Sequence, residues 1–160
     1  MSLRVLTVVA LSLAGAACET SRIVKPSAAI ALTVEPNPVV IHVACLQSQP
    51  PPEFCLASLD ATITIRETGG VGGRLEAINL VVRDTSTGAT ATEVTLGPDW
   101  VRAQAGTDRI EAFGRLAFRP VISGYRVRNG MAQSLAFVIG VRFVDDNGNV
   151  VEQQVQVGGA

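Results

Sequence analysis

The chain has 160 residues, 13 Lys plus Arg against 14 Asp plus Glu, 48% apolar and 17% charged residues, one His and three Cys. A net charge of −1 excludes a protein that binds nucleic acid by neutralising phosphates, and so apolar a chain with so little charge is not intrinsically disordered. With 15 Gly and 8 Pro among many Val, Ile and Thr, strands and turns are favoured over long helices, and the length suits one domain.

Residues 1–17 begin with Arg4 near the start, run apolar from Val5 to Ala14 broken only by Thr7 and Ser12, and end in Gly15-Ala16-Ala17. This predicts a signal peptide, because the apolar run is well short of the roughly 20 residues that cross a bilayer. The stretch Leu13-Ala14-Gly15-Ala16-Ala17-Cys18 resembles the lipobox of bacterial lipoproteins, with Gly15 where those families carry Leu. The resemblance implies a diacylated Cys18 as mature N-terminus and a membrane partner through that lipid anchor. Glu19, where an Asp would mark inner-membrane retention, implies the outer membrane if the organism has one. The alternative is an ordinary signal-peptidase cut after Ala14-Gly15-Ala16, which gives a periplasmic or secreted protein. Residues 18–28 are polar and aperiodic, carry Arg22, Lys25 and Pro26, and read as a tether.

Three cysteines leave one unpaired in an oxidising compartment, and acylation of Cys18 leaves Cys45 and Cys55 as a pair. We expect a disulfide between them, contributing about 3 kcal/mol in the loop-closure model and pinning the proline-bearing loop Leu46 to Phe54. A metal site is the competing use, but it needs further ligands and His42 is the sole His.

Residues 29–158 read as a single all-β sandwich of about seven to nine antiparallel strands. The opening Leu32-Thr33-Val34-Glu35-Pro36-Asn37-Pro38-Val39-Val40 resembles that of bacterial immunoglobulin-like domains, whose proline-kinked first strand crosses between sheets. The resemblance implies an immunoglobulin-like module. Next, Leu59, Ala61, Ile63 and Ile65 alternate with Asp60, Thr62, Thr64 and Arg66, one dry face and one wet. The glycines from Gly69 to Gly73 lack the Gly-Lys-Ser/Thr ending of a phosphate loop and read as a mobile hairpin tip. Ile78, Leu80 and Val82 alternate less cleanly because Val81 sits among the outward positions. Asp99 to Ala105 fits either a strand or a single helical turn capped by Asp99, and Ile110, Ala112, Gly114, Leu116 and Phe118 favour a strand. Leu135, Phe137, Ile139, Val141 and Phe143 form the strongest inward row. In the last hairpin, only a three-residue loop Asp146-Asn147-Gly148 pairs Phe143 with Val151 and Ile139 with Val155, keeping apolar partners on one face. It fits a type I turn starting at Asp145 with Gly148 left-handed.

The inventory for chemistry is thin. His42 alternates out of phase with Ile41 and Val43 and reads as an exposed strand residue, so nucleophile–histidine pairs have no material. Asp145-Asp146-Asn147-Gly148-Asn149 is rich in oxygen ligands, but Val150 and Gln156 stand where an EF-hand loop needs Gly and Glu. No motif calls for a cofactor or a metal. Charge distribution is the most informative feature: residues 102–128 hold six arginines against Asp108 and Glu111, a local balance of +4, and the rest of the mature chain carries −6. Arg115, Arg119, Arg126 and Arg128 form the candidate binding surface, suited to an acidic protein, glycan or lipid headgroup. The expected function is therefore a lipid-anchored envelope module that binds or supports without catalysis. A secreted carbohydrate-binding module would have to use Trp100 and Tyr125, and a small hydrolase would need a cleft of converging acids.

Overall fold

The computed structural model describes residues 25–47, 50, 53–129 and 135–159. The leader, the lipobox-like stretch and Cys18 lie outside the described residues. Two antiparallel sheets enclose one core. In the first, β2 (Phe54–Glu67) is flanked on one side by β1 (Ile30–Ala44) and on the other by β6 (Arg115–Phe118) and β7 (Ile122–Arg128), which lie end to end along it. The second runs β4 (Thr90–Leu96), β3 (Gly73–Asp84), β8 (Leu135–Asp145), β9 (Val150–Gly158), with β5 (Arg109–Ile110) beside the start of β3.

The inward rows read from the alternation are the core. Leu59, Ala61, Ile63 and Ile65 of β2 are buried against Ile78, Leu80 and Val82 of β3 and Phe137, Ile139 and Phe143 of β8. Val81, on the outward parity, is buried as well and lies opposite Val138 on β8. In the final hairpin Phe143 pairs with Val151, Val141 with Gln153, Ile139 with Val155 and Phe137 with Val157, the register expected from the apolar pattern. The Gly148 N–H donates to the Asp145 carbonyl at 2.9 Å and Gly148 takes φ 84°, so the loop is the expected type I turn with a left-handed glycine.

Pro36 and Pro38 interrupt the β1 ladder, since neither carries an N–H, and the register with β2 shifts between Glu35 and Val40. Past this kink Val39 forms a parallel bridge with Gly159, tying the two sheets together along one seam. Cys45 and Cys55 are disulfide-bonded with Cα atoms 4.4 Å apart, one step beyond the Ala44–Leu56 pair, so the bridge closes the β1–β2 loop.

Of the two readings open for Asp99 to Ala105 the helical one holds, with Gly97 and not Asp99 as the cap, whereas the row from Ile110 to Phe118 departs from the single strand expected. Helix α1 (Pro98–Ala105) is capped by Gly97, and Asp99 sits in its first turn, where it pairs with Arg102. Pro98 suits that first turn because the missing N–H would have had no helical partner there. The row from Ile110 to Phe118 is split: β5 joins the second sheet, β6 the first, and between them Phe113 takes φ 59° while the Gly114 N–H donates to the Glu111 carbonyl at 2.7 Å. Alternation cannot reveal such a switch, because the inward parity is the same on both sides of the turn. The Gly69 to Gly73 segment is likewise packed and not an open tip: a Cβ on Gly73 would stand 2.3 Å from the Val144 carbonyl oxygen.

Strand directions give the sandwich two poles. Residues 25–29 and the turns at 68–72, 111–114 and 146–149 gather at one; the disulfide, the 85–89 turn and the C-terminal end of β7 gather at the other. We call them the carboxylate pole and the disulfide pole.

Candidate functional site

At the carboxylate pole, three buried acids are consumed by the fold. Glu67 is fully buried and accepts from the N–H groups of Gly69 (2.6 Å), Phe113 (2.8 Å), Gly70 (2.9 Å) and Ala29 (3.2 Å). Burial pushes its carboxyl up, but these four donors outweigh burial and hold it below its ordinary value. Asp145 accepts from Asn149 Nδ2 and from the N–H groups of Ala28, Asn147 and Asn149 at 2.8 to 3.0 Å. Burial again acts upward, and the donors win, bringing its carboxyl down to about 2. Asp108 sits between Arg74 (3.0 Å) and Arg102 (2.8 Å). The glycine loop therefore cradles the chain's own Glu67, and Asp145 spends its oxygens on the turn and on Ala28. Pro26, whose carbonyl accepts from Asn147 Nδ2 at 2.8 Å, and Ala28 dock onto this pole, so the expected tether is fixed to the sandwich at its last residues.

Each of these acids had a signal in the sequence. Glu67 continues the inward row Leu59 to Ile65, Asp145 continues Leu135 to Phe143, and Asp108 precedes Ile110 by two. An acid on the inward parity at a strand end, next to glycines or asparagines that offer free N–H groups, marks a carboxylate that closes a loop.

The four candidate arginines lie on the outer face of the first sheet. Arg115 and Arg119 have odd parity, Arg126 and Arg128 even; an extra residue at Gly124 (φ 75°) shifts the register against β2 and brings both pairs to one face. They do not form one patch. Arg115 stands opposite Arg66, whereas Arg126 stands opposite Leu56, ten positions away along β2, about 33 Å at the rise of an extended strand. Arg119, between them, is held by both oxygens of Asp60. Arg102 and Arg109 are also spent, the latter on Glu111 and Asp146. Of the +4 segment, Arg115, Arg126 and Arg128 are left without an acidic partner among the described residues.

Arg126 and Arg128 stand at the disulfide pole among exposed apolar side chains. The Arg126 guanidinium lies 4.5 Å from the centre of the Phe54 ring, a cation–π contact that holds it in place. Two depressions meet at Phe54 and Arg126. One, of about 390 Å³, is lined by Leu46, Leu56 and the disulfide. The other, of about 330 Å³, runs between Thr90 and Ala91 of β4 and Arg126 to Arg128 of β7, with Asp84 and Thr87 at its β4 end. A third depression, over Gly140 on the outer face of the second sheet, is balanced in charge, since Arg142 there pairs with Glu76 and Glu152.

Neither aromatic named for a sugar site stands free: Trp100 is half-buried, packed edge-on against Phe118 with centroids 5.9 Å apart, and Tyr125 is buried. Burial raises the Tyr125 hydroxyl to about 12, and it has no hydrogen-bond partner among the described residues. His42 is exposed opposite Ser58, as expected. Among the described residues no three His, Cys, Asp or Glu side chains converge in the manner of a metal site.

No family model and no curated protein matches the chain. Among solved structures, the chain is similar to the X-ray structure of the Northeast Structural Genomics Consortium target SoR45, at 17% identity and TM-score 0.52, covering 80% of this chain and 85% of that one. It also aligns with a Bordetella pertussis structure carrying the name ApaA (14% identity, TM-score 0.43, 80% and 93% covered). A third alignment, to a Listeria innocua beta-glucosidase, has 13% identity and TM-score 0.35 and covers 82% of this chain but 16% of that one. The first of these likenesses speaks for the sandwich fold and for nothing finer.

Proposed function

We propose that this chain is an immunoglobulin-like binding module of the bacterial cell envelope, exported by its leader, anchored through a diacylated Cys18 and without catalytic activity. The strand order supports the immunoglobulin-like reading. Strands β1, β2 and β6/β7 form one sheet, β4, β3, β8 and β9 the other, and the kinked first strand meets the last in parallel, as the proline-bearing opening leads one to expect. The disulfide fits an oxidising compartment.

The observation that carries the binding reading is the division of charge. Five arginines (Arg74, Arg102, Arg109, Arg119 and Arg142) are neutralised by acids within the fold; of those without an acidic partner among the described residues, Arg126 and Arg128 stand beside exposed Phe54 and Leu56. Cations next to apolar surface suit an acidic partner, because the apolar contact supplies affinity and the charge supplies orientation and salt-sensitive association. Serine at Arg115, Arg119, Arg126 and Arg128 together should weaken envelope association at low salt and leave the circular dichroism spectrum unchanged; undiminished association would overturn the binding reading. Intact mass spectrometry of the mature protein from its host tests the anchoring, with a diacyl mass on an N-terminal Cys18 as the expected result and an unmodified N-terminus as the contrary one.

A further inference from the structure

We infer that the cleft between β4 and β7 at the disulfide pole takes an extended segment of a partner protein, which adds to the free edge of β4 and places an acidic side chain against Arg126 and Arg128. This rests on the binding reading above and assigns it a position and a ligand class.

The two seams of the sandwich differ. On the β1–β9 side the Val39–Gly159 bridge joins the sheets. On the opposite side the seam is filled at the carboxylate pole by α1, whose Val101 is fully buried and whose Trp100 packs on Phe118 of β6. Toward the disulfide pole nothing among the described residues fills it, and the cleft of about 330 Å³ lies there. Further along β4, Val94 pairs with Leu80, an inward residue, yet is 37% exposed. Among the described residues β4 pairs with β3 alone, so alternate N–H and C=O groups along Thr90–Leu96 have no second sheet partner there, and a strand laid beside β4 would satisfy them while covering Val94.

The charges select the occupant. Arg126 and Arg128 form the β7 wall, and Asp84 stands at the β4 end, where the Ser86 N–H (2.8 Å) and Oγ (2.6 Å) hold it ionised. A polarised cleft of this kind accepts a carboxylate on one side and excludes it on the other. One acidic side chain on an extended backbone fits; a uniformly anionic surface, such as a lipid bilayer, would press charge against Asp84. Beside Phe54 the second depression, lined by Leu46 and Leu56, offers an apolar side chain of the same segment a place next to the acid.

The test is a fluorescence-anisotropy titration of the full chain with a labelled peptide of about ten residues alternating Glu and Val, a length that spans one strand edge. The expected result is saturable, salt-sensitive binding that falls about tenfold or more in Arg126→Ser/Arg128→Ser, since charge-assisted hydrogen bonds are lost, with slowed amide exchange over Thr90–Leu96 on binding. In Arg126→Glu/Arg128→Glu, preference should switch to a Lys/Val peptide, a gain that a misfolded variant cannot show. No binding by the Glu/Val peptide, binding indifferent to the arginines, or exchange unchanged in β4 would overturn the inference. So would capture by phosphatidylglycerol vesicles, in place of the peptide, that depends on Arg126 and Arg128. If the peptide fails while the four-arginine variant still loses the envelope, the binding reading stands and only this site falls.

Discussion

The acids of the carboxylate pole and the arginines of the disulfide pole are treated in opposite ways. At the carboxylate pole Glu67, Asp108 and Asp145 are buried and saturated: Asp108 by Arg74 and Arg102, and Glu67 and Asp145 by donors from the segments a sandwich must pin, residues 28–29, the glycine turn, the 111–114 turn and the last hairpin. At the disulfide pole a covalent bond closes the β1–β2 loop, and Arg126, Arg128, Phe54 and Leu56 stay exposed. Ionised groups stabilise a small fold when their partners are backbone donors inside it, and they remain available for binding when no partner is supplied.

The largest effect should come from Glu67→Gln. It leaves one acceptor oxygen for four N–H groups and turns an amide donor toward some of them, at a cost of roughly 3 kcal/mol or more in urea denaturation. A loss under 1 kcal/mol would show that the pole does not depend on that carboxylate. Next comes Cys45→Ser/Cys55→Ser, expected to cost about 2 to 3 kcal/mol because the loop-closure constraint on the unfolded chain disappears. The same midpoint measurement checks it, and no difference between this variant and reduced wild type is expected.

The third effect is on pH. Asp145 has its folded value lowered from 3.8 to about 2, so its contribution is complete above the unfolded value and is lost as pH falls through that window. Glu67 and Asp108 are lowered as well and act in the same direction. Urea midpoints should therefore drop steeply between about pH 4 and pH 2, and Asp145→Asn, less stable at neutral pH, should show a shallower acid limb. A parallel limb in the variant would mean that other carboxylates dominate. The smallest effect on stability belongs to Arg126→Ser/Arg128→Ser, within about 0.5 kcal/mol, since neither side chain meets an acid and both are exposed.

The parts of the fold legible in the sequence were those fixed by apolar alternation within one strand. The β2 row and the β8–β9 register follow from it, because a slip of one residue would carry Phe143 and Ile139 to the wet face. The switch between β5 and β6 was hidden, since Ile110, Leu116 and Phe118 keep one parity across a turn that changes sheets. The grouping of the arginines was half legible. Parity pairs Arg115 with Arg119 and Arg126 with Arg128, but the extra residue at Gly124 sets them on one face, and the long β2 separates them by about 33 Å. Their neutralisation was not legible at all: the Arg119 partner, Asp60, is 59 residues away in sequence.

Two arginine pairs share one outer face, Arg66 with Arg115 near the carboxylate pole and Arg126 with Arg128 at the disulfide pole, so the division between poles can be tested by removing each in turn. The decisive measurement is the affinity of the full chain for the alternating Glu/Val peptide, compared between Arg66→Ser/Arg115→Ser and Arg126→Ser/Arg128→Ser. We expect the first variant to bind as wild type does and the second to lose about tenfold or more. Equal losses in both would mean that the peptide reads only the summed charge of the face, and the assignment of binding to the disulfide pole would be wrong.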